Sequence, residues 1–169
     1  MDNLKTKKLT IALISSVLLF LIIRVGFGYG FNLMENASCL KYLGCTYAFF
    51  GFDILVHFAS GIFEVTLILW LINRFPKLNI LHDEFWKNVI TLIAFAVLIG
   101  VVWEFWEFGV DHFRMVVLHQ DLLYPRNLFM QTNNSDTMGD LIFGLLGSLS
   151  AIFSFRFLMP GFLNRKKPA

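Results

Sequence analysis

Charged residues are scarce in this chain, and their scarcity excludes most soluble folds. Only 15% of the 169 residues are charged, whereas 57% are hydrophobic and twenty are Phe. The mean hydropathy of +0.66 is far above that of ordinary soluble domains. The sequence also lacks an obvious internal repeat, a low-complexity tract and a linker long enough to divide it. These features predict one integral membrane domain over residues 1–169.

The apolar residues are grouped into four runs, at residues 9–28, 49–72, 89–110 and 138–159. About 20 apolar residues in a helix cross the roughly 30 Å of hydrocarbon in a bilayer. The first run is long for a signal peptide and no small-residue cleavage site follows it, so we expect it to be retained as a span. The sequence therefore predicts an all-α, polytopic bundle of four transmembrane helices.

Lysine and arginine are distributed unevenly among the segments between these runs. Nine precede the first run, separate the second from the third or follow the fourth, whereas the other two segments hold three. Because short cytoplasmic segments are enriched in these residues, we predict that both termini and the middle loop are cytoplasmic. The expected location is the cell (inner) membrane. No basic stripe indicates a nucleic acid partner.

Cysteine is nearly absent. The two cysteines, Cys39 and Cys45, fall in the first loop that is predicted to lie outside. An oxidising compartment would allow a short disulfide between them, which we predict, and two free thiols are the alternative.

Acidic residues are concentrated near the predicted outer end of the third span, in the stretch "WEFWEFGVD". Glu104, Glu107 and Asp111 follow the spacing i, i+3 and i+7, which places all three on one face of a helix. Asp111 is interpreted as a marker of the water interface. Trp103 and Trp106 are interpreted as part of an aromatic belt.

The second and fourth spans repeat this pattern of polar outer ends. Asp53 and His57 are one helical turn apart in the second span, and Asp136 and Asp140 are one turn apart in the fourth. Small residues continue both faces inward, as close helix packing requires. Two structural alternatives to a site role stay open. Asp136 is equally consistent with a helix N-cap, and a single histidine such as His57 is more often a packed side chain than a ligand. Glu64, farther along the second span, is as consistent with an internal structural bond as with a functional role.

A carboxylate at the bilayer centre costs about 2.5 to 3.5 kcal/mol, so these acids are expected to face one another rather than lipid. Such proximity favours either shared protons or neutralisation by a cation. We predict one cation-binding site beneath the outer surface, formed by His57, Asp53, Glu104, Glu107 and Asp140, with Asp136 as a further candidate. Oxygen ligands favour Mg, Ca or Mn, and the imidazole allows Zn. Glu104 and Glu107 are the candidate catalytic residues.

Three motifs carry a family resemblance. The segments "DILVHFASG", "EFWEFGVD" and "DTMGDLIFGLLGS" are similar to bacterial inner-membrane proteins of the YjdF type and, more distantly, to the VanZ-like superfamily. Asp53, His57 and Gly61 match the first motif of those families, and Gly144 stands where VanZ-like proteins often have Asn. Relatives also often have more than four spans. The resemblance implies a membrane helix bundle and no defined reaction.

Three functions are consistent with these patterns. The first is a divalent-metal-dependent site that acts on a lipid or cell-envelope precursor. The second is a non-catalytic protein that binds lipid or a partner, and the third is a small cation- or proton-coupled carrier. Because no H-E-x-x-H, H-x-x-E-H or Ser-based motif is present, the sequence leaves open whether the protein is an enzyme.

Overall fold

The structure, a computed structural model, describes residues 3–23, 52–117, 134–159 and 163. For residues 52, 53, 114 and 134–136 it describes the backbone alone. Within these ranges the chain forms four long helices, namely α1 (Asn3–Leu21), α2 (Phe52–Arg74), α3 (Phe85–Val116) and α4 (Asn134–Leu158). A short 3-10 helix, Pro76–Leu78, connects α2 to α3.

Three of the described helices are long and apolar enough to cross a membrane. The candidate spans are Ile54–Arg74, Phe85–Phe113 and Thr137–Leu158. They correspond to the second, third and fourth runs of the sequence, so the expectation of an all-helical membrane protein is confirmed at this level. The described helix α1 is not among them, because its first two turns carry three lysines, and residues 24–28 of the predicted first span lie outside the described residues.

Helix α3 is longer than the run at 89–110 predicts. Its 32 residues correspond to a length of about 48 Å, well beyond the hydrocarbon thickness of about 30 Å. No proline occurs between Pro76 and Pro125, so no residue in that interval forces the helix to stop where hydrophobicity falls. Polarity therefore defines the membrane-crossing part of α3 and does not define the ends of the helix.

The packing of the bundle is centred on α2 and α4, which contact each other most extensively. Helix α1 packs on α2, and α3 packs mainly on α4. Most of the buried apolar side chains lie toward the end of the bundle where α2 finishes and α3 begins. At the opposite end, where α2 and α4 begin, four of the described side chains are buried carboxylates. One half of the bundle is thus an apolar core and the other half is polar.

Glycines bring the backbones of α2 and α4 into direct contact. A Cβ atom built on Gly61 would overlap the carbonyl group of Gly144, and one built on Gly147 would overlap that of Phe58. The hydroxyl of Ser148 donates to the carbonyl oxygen of Gly144 at 2.9 Å and lies 3.3 Å from that of Gly61. Only residues without a side chain permit this approach, which agrees with the small residues along both spans.

Polar side chains connect α1 to α2 at the apolar end of the bundle. The indole N–H of Trp70 donates to the hydroxyl of Thr10 at 3.2 Å, and the amide of Asn73 donates to the hydroxyl of Thr6 at 3.1 Å. These bonds place the first turns of α1 beside the last turns of α2, so the two helices are antiparallel.

Asn88 in the first turn of α3 connects two distant parts of the chain. Its side chain is fully buried, and its Nδ2 donates to the carbonyl oxygens of His82 at 2.8 Å and Leu163 at 2.7 Å. Its Oδ1 accepts the backbone N–H of His82. One amide therefore holds both the segment before α3 and the segment after α4.

Candidate metal centre

Three helices each contribute one metal-ligating side chain to a single point in the polar half of the bundle. These are His57 on α2, Glu104 on α3 and Asp140 on α4, and one ligand atom of each lies within 4.8 Å of the other two. The His57 Nε2 and the Asp140 Oδ1 are 3.6 Å apart. Glu104 and Asp140 are 6% and 5% exposed, and His57 is largely buried. We refer to these three residues as the trio.

The glycine contact between α2 and α4 positions two members of the trio. His57 lies one helical turn before Gly61, and Asp140 lies one turn before Gly144, the pair at which the two backbones meet. A Cβ atom on Gly144 would also lie within 3.8 Å of the His57 carbonyl oxygen. The imidazole and the carboxylate therefore extend from two backbones that are held at a fixed short distance.

Another glycine, Gly100, brings α3 close enough to α4 for Glu104 to reach His57 and Asp140. Gly100 lies one turn from Glu104, and a Cβ atom at this position would be 3.2 Å from the side chain of Leu141 on α4. Because this space is nearly filled, α3 lies as close to α4 as its side chains permit.

A cavity of about 20 Å³ lies at the trio, and all three members line it. This volume accommodates about one water-sized sphere. Two further residues of α2, Ser60 and Glu64, extend the lining toward the apolar half. The hydroxyl of Ser60 donates to the His57 carbonyl oxygen at 2.8 Å. The cavity is thus large enough for a single ion or water molecule.

Glu107 was predicted as a ligand, but among the described side chains it is not part of the group that contains the trio. It is buried at 8% exposure, and its Oε1 accepts the indole N–H of Trp103 at 2.7 Å. A hydrogen bond to a carboxylate is stronger than one between neutral groups. The predicted cluster is therefore divided between the trio and a Trp103–Glu107 pair on α3.

Trp103 was interpreted only as an aromatic of the membrane interface, so its role as a donor to Glu107 was missed. The i, i+4 spacing of the two residues is the signal that indicates it. Asp111 was interpreted as a marker of the water interface, but it is only 4% exposed in the structure. The buried part of the acidic face thus extends through all three of its carboxylates.

Several predicted residues lie outside the described part of the chain. The side chains of Asp53 and Asp136 are among them, and so are Cys39 and Cys45. Their roles as ligands and as a disulfide stay predictions.

Two carboxylates and one imidazole within 4.8 Å of one another have a limited chemical repertoire. They can chelate one cation, or they can share protons. Ligands at about 2.1 Å in a tetrahedral site are roughly 3.4 Å apart. The 3.6 Å between His57 Nε2 and Asp140 Oδ1 is close to that value, so this pair requires little movement to bind a metal ion.

Three apolar helices of spanning length, packed around buried carboxylates, define a polytopic membrane protein. Residues 3–160 match the model of the family described as "Predicted membrane protein (DUF2238)", and the chain belongs to that family. Because YjdF-type proteins form this family, that resemblance is confirmed. The more distant resemblance to the VanZ-like superfamily stays a prediction. No curated protein and no solved structure matches the chain.

Proposed function

We propose that this membrane protein binds one divalent cation between His57, Glu104 and Asp140 and uses it to act on a lipid or cell-envelope precursor. The observation that carries the proposal is the convergence of the trio from three separate helices on one cavity. Residues 47 and 36 positions apart in the sequence meet there, so the grouping is not a by-product of helical periodicity.

Electrostatics supports a cation at this point. Two buried carboxylates within 4.8 Å of each other repel strongly where little water screens them. A divalent ion offsets both negative charges at once and leaves the imidazole neutral, which is the form that binds metals. The positive charge thereby reduces the cost of holding Glu104 and Asp140 in the membrane.

The ligand types limit the identity of the ion. Among Mg, Ca, Mn and Zn, a set of two carboxylates and one imidazole favours Mn or Zn, because Mg and Ca prefer oxygen ligands alone. Three protein ligands leave at least one coordination position for a water molecule or a substrate oxygen. Such an ion polarises a phosphoryl oxygen or lowers the pKa of a bound water. Glu107, one turn from Glu104, is the carboxylate proposed as a general base.

We also propose that α1 spans the membrane, in addition to the three candidate spans formed by α2, α3 and α4. In this arrangement both termini are cytoplasmic, and the trio lies toward the outer leaflet of the cell membrane. The lysines of α1 support this orientation, because the Thr6–Asn73 bond places them at the same end as Arg74 and Lys77. Positive residues at one end of several spans favour the cytoplasmic side for that end.

The test is to measure bound metal in protein purified without chelator. Elemental analysis and titration with Mn²⁺ or Zn²⁺ are compared for the wild type and for His57→Ala, Glu104→Gln and Asp140→Asn. We expect about one ion per chain in the wild type and at least a tenfold weaker affinity in each variant, since each ligand contributes well over 1.4 kcal/mol. Glu107→Gln is the matched control, which removes a buried charge of the same helix and is expected to keep the ion.

Two results would contradict this proposal. Equal loss of metal in Glu107→Gln and Glu104→Gln would mean that the ligands are not the trio. A wild type that takes up neither ion near neutral pH would leave the cluster with a proton-sharing or structural role. In that case the lipid- or partner-binding function becomes the better one.

A further inference from the structure

Glu64 lies at the inner end of the cavity, and the cation site proposed for the trio gives this residue no role. It lines the same cavity as His57, on the same face of α2, but two helical turns farther along the helix. Two turns correspond to about 11 Å along the axis. The next residue of α2, Val65, is fully buried in the apolar core. Glu64 thus marks the boundary between the polar and apolar halves of the bundle.

No described residue forms a hydrogen bond or an ion pair with Glu64. The titratable groups that line its cavity are His57 of α2, Glu104 of α3 and Asp140 of α4. On the α1 side, the ring of Phe20 stacks on Phe63, the residue before Glu64, with 6.4 Å between the centroids. The described lysines of α1 lie at the other end of the helix, beside the last turns of α2. Within residues 3–23, 52–117 and 134–159, the surroundings of the carboxyl group therefore offer no cation.

A metal ion is poorly suited to the position of Glu64. Divalent cations require several oxygen or nitrogen ligands, whereas the lining residue one turn away, Ser60, offers a single hydroxyl oxygen, and the side chains of Ala96 and Val97 on α3 offer none. A proton requires a single carboxylate and one acceptor, and the oxygen of Ser60 retains a lone pair for that purpose. The inner end of the cavity fits a proton better than a metal.

We propose that Glu64 is a proton-binding site that exchanges its proton with water in the cavity. In this exchange the carboxylate accepts a proton from hydronium, which leaves a neutral carboxyl group and a water molecule. The reverse step returns the proton to the cavity. This site goes beyond the proposed cation centre and requires no ion at the trio.

The test uses dicyclohexylcarbodiimide, an apolar reagent that modifies protonated carboxyl groups inside membranes. The full chain in lipid nanodiscs is treated at several pH values near neutrality, and the modified peptides are identified by mass spectrometry. We expect the label on the peptide that contains Glu64, a decrease of labelling as pH rises, and complete loss of that label in Glu64→Gln. Glu84, which is exposed and paired with Lys87 at the surface, is the internal control and is expected to stay unmodified.

A second measurement detects the protonated carboxyl group without the reagent, in case the reagent does not reach Glu64. Infrared difference spectra of the wild type and Glu64→Gln are expected to show one protonated carboxyl band that is absent from the variant. Absence of both the label and this band would overturn the proposal, as would labelling of Glu64 no greater than that of Glu84. Because metal content is measured separately, a wild type that binds no ion but retains Glu64 labelling would overturn the proposed cation centre and leave this inference standing alone.

Discussion

The contact between α2 and α4 predicts that a single methyl group at Gly147 will lower the stability of the protein and disrupt the proposed cation centre. In Gly147→Ala the new Cβ overlaps the backbone carbonyl of Phe58, which is fixed in a helical hydrogen bond and cannot rotate away. The two helices must therefore separate. Overpacking in a well-packed interior typically costs about 1 to 3 kcal/mol, and a clash with backbone belongs at the upper end of that range.

The same separation alters the site two turns away. The 3.6 Å between His57 Nε2 and Asp140 Oδ1 is close to the spacing of two ligands on one ion, so an increase of about 1 Å moves it outside a tetrahedral geometry. We expect a lower midpoint of thermal unfolding in detergent together with an affinity for Mn²⁺ or Zn²⁺ at least tenfold weaker. The two effects should occur together, because one displacement causes both.

Gly109→Ala on α3 and Gly139→Ala on α4 are the matched controls. A Cβ atom at either position meets no other group within 4 Å. Since Ala stabilises a helix by up to about 1 kcal/mol relative to Gly, both variants are expected to be neutral or slightly more stable. If Gly147→Ala unfolds at the same temperature as these controls and binds the ion normally, the backbone contact between α2 and α4 is not present in the protein.

The remaining predictions concern the two ends of the bundle. Asn88→Ala removes a buried amide that bonds two backbone segments, and leaving such partners unsatisfied should cost about 2 to 3 kcal/mol of unfolding free energy. Asn79→Ala, at an exposed position, should cost well under 1 kcal/mol in the same denaturant titration. In a background without the native cysteines, a membrane-impermeant thiol reagent applied to intact cells should label a cysteine placed at Asn36 or Asn127 and not one placed at Lys77. Labelling at Lys77 from outside would reverse the proposed orientation.

The sequence indicates where the helices form more reliably than it indicates which side chains on them meet. The runs at 49–72, 89–110 and 138–159 each correspond to a described helix, because spanning length and apolar composition dominate that signal. His57, Glu104 and Asp140 were all placed in one predicted cluster, and the structure brings them within ligand distance. Whether they bind metal is a separate question that spacing alone does not answer.

The position of Glu107 shows what helical spacing alone does not resolve. Glu104 and Glu107 are three residues apart, so they point about 60° apart around the axis of α3. That angle is small enough for both to count as one face, yet large enough for one to reach the trio and the other to reach Trp103. The packing angle of α3 against α4 decides between these outcomes, and it depends on Gly100 and Leu141 in three dimensions.

The bond between Asn88 and Leu163 also has a consequence for how the protein is made. The two residues are 75 positions apart, so α3 leaves the ribosome and enters the bilayer long before its partner segment has been synthesised. Until then the amide can form its bonds to the nearby His82 backbone, but the bond to Leu163 is missing. This end of the bundle is therefore assembled last, after α4 has been translated. A nascent chain that stalls within α4 would therefore lack the bond that ties the start of α3 to the segment after α4.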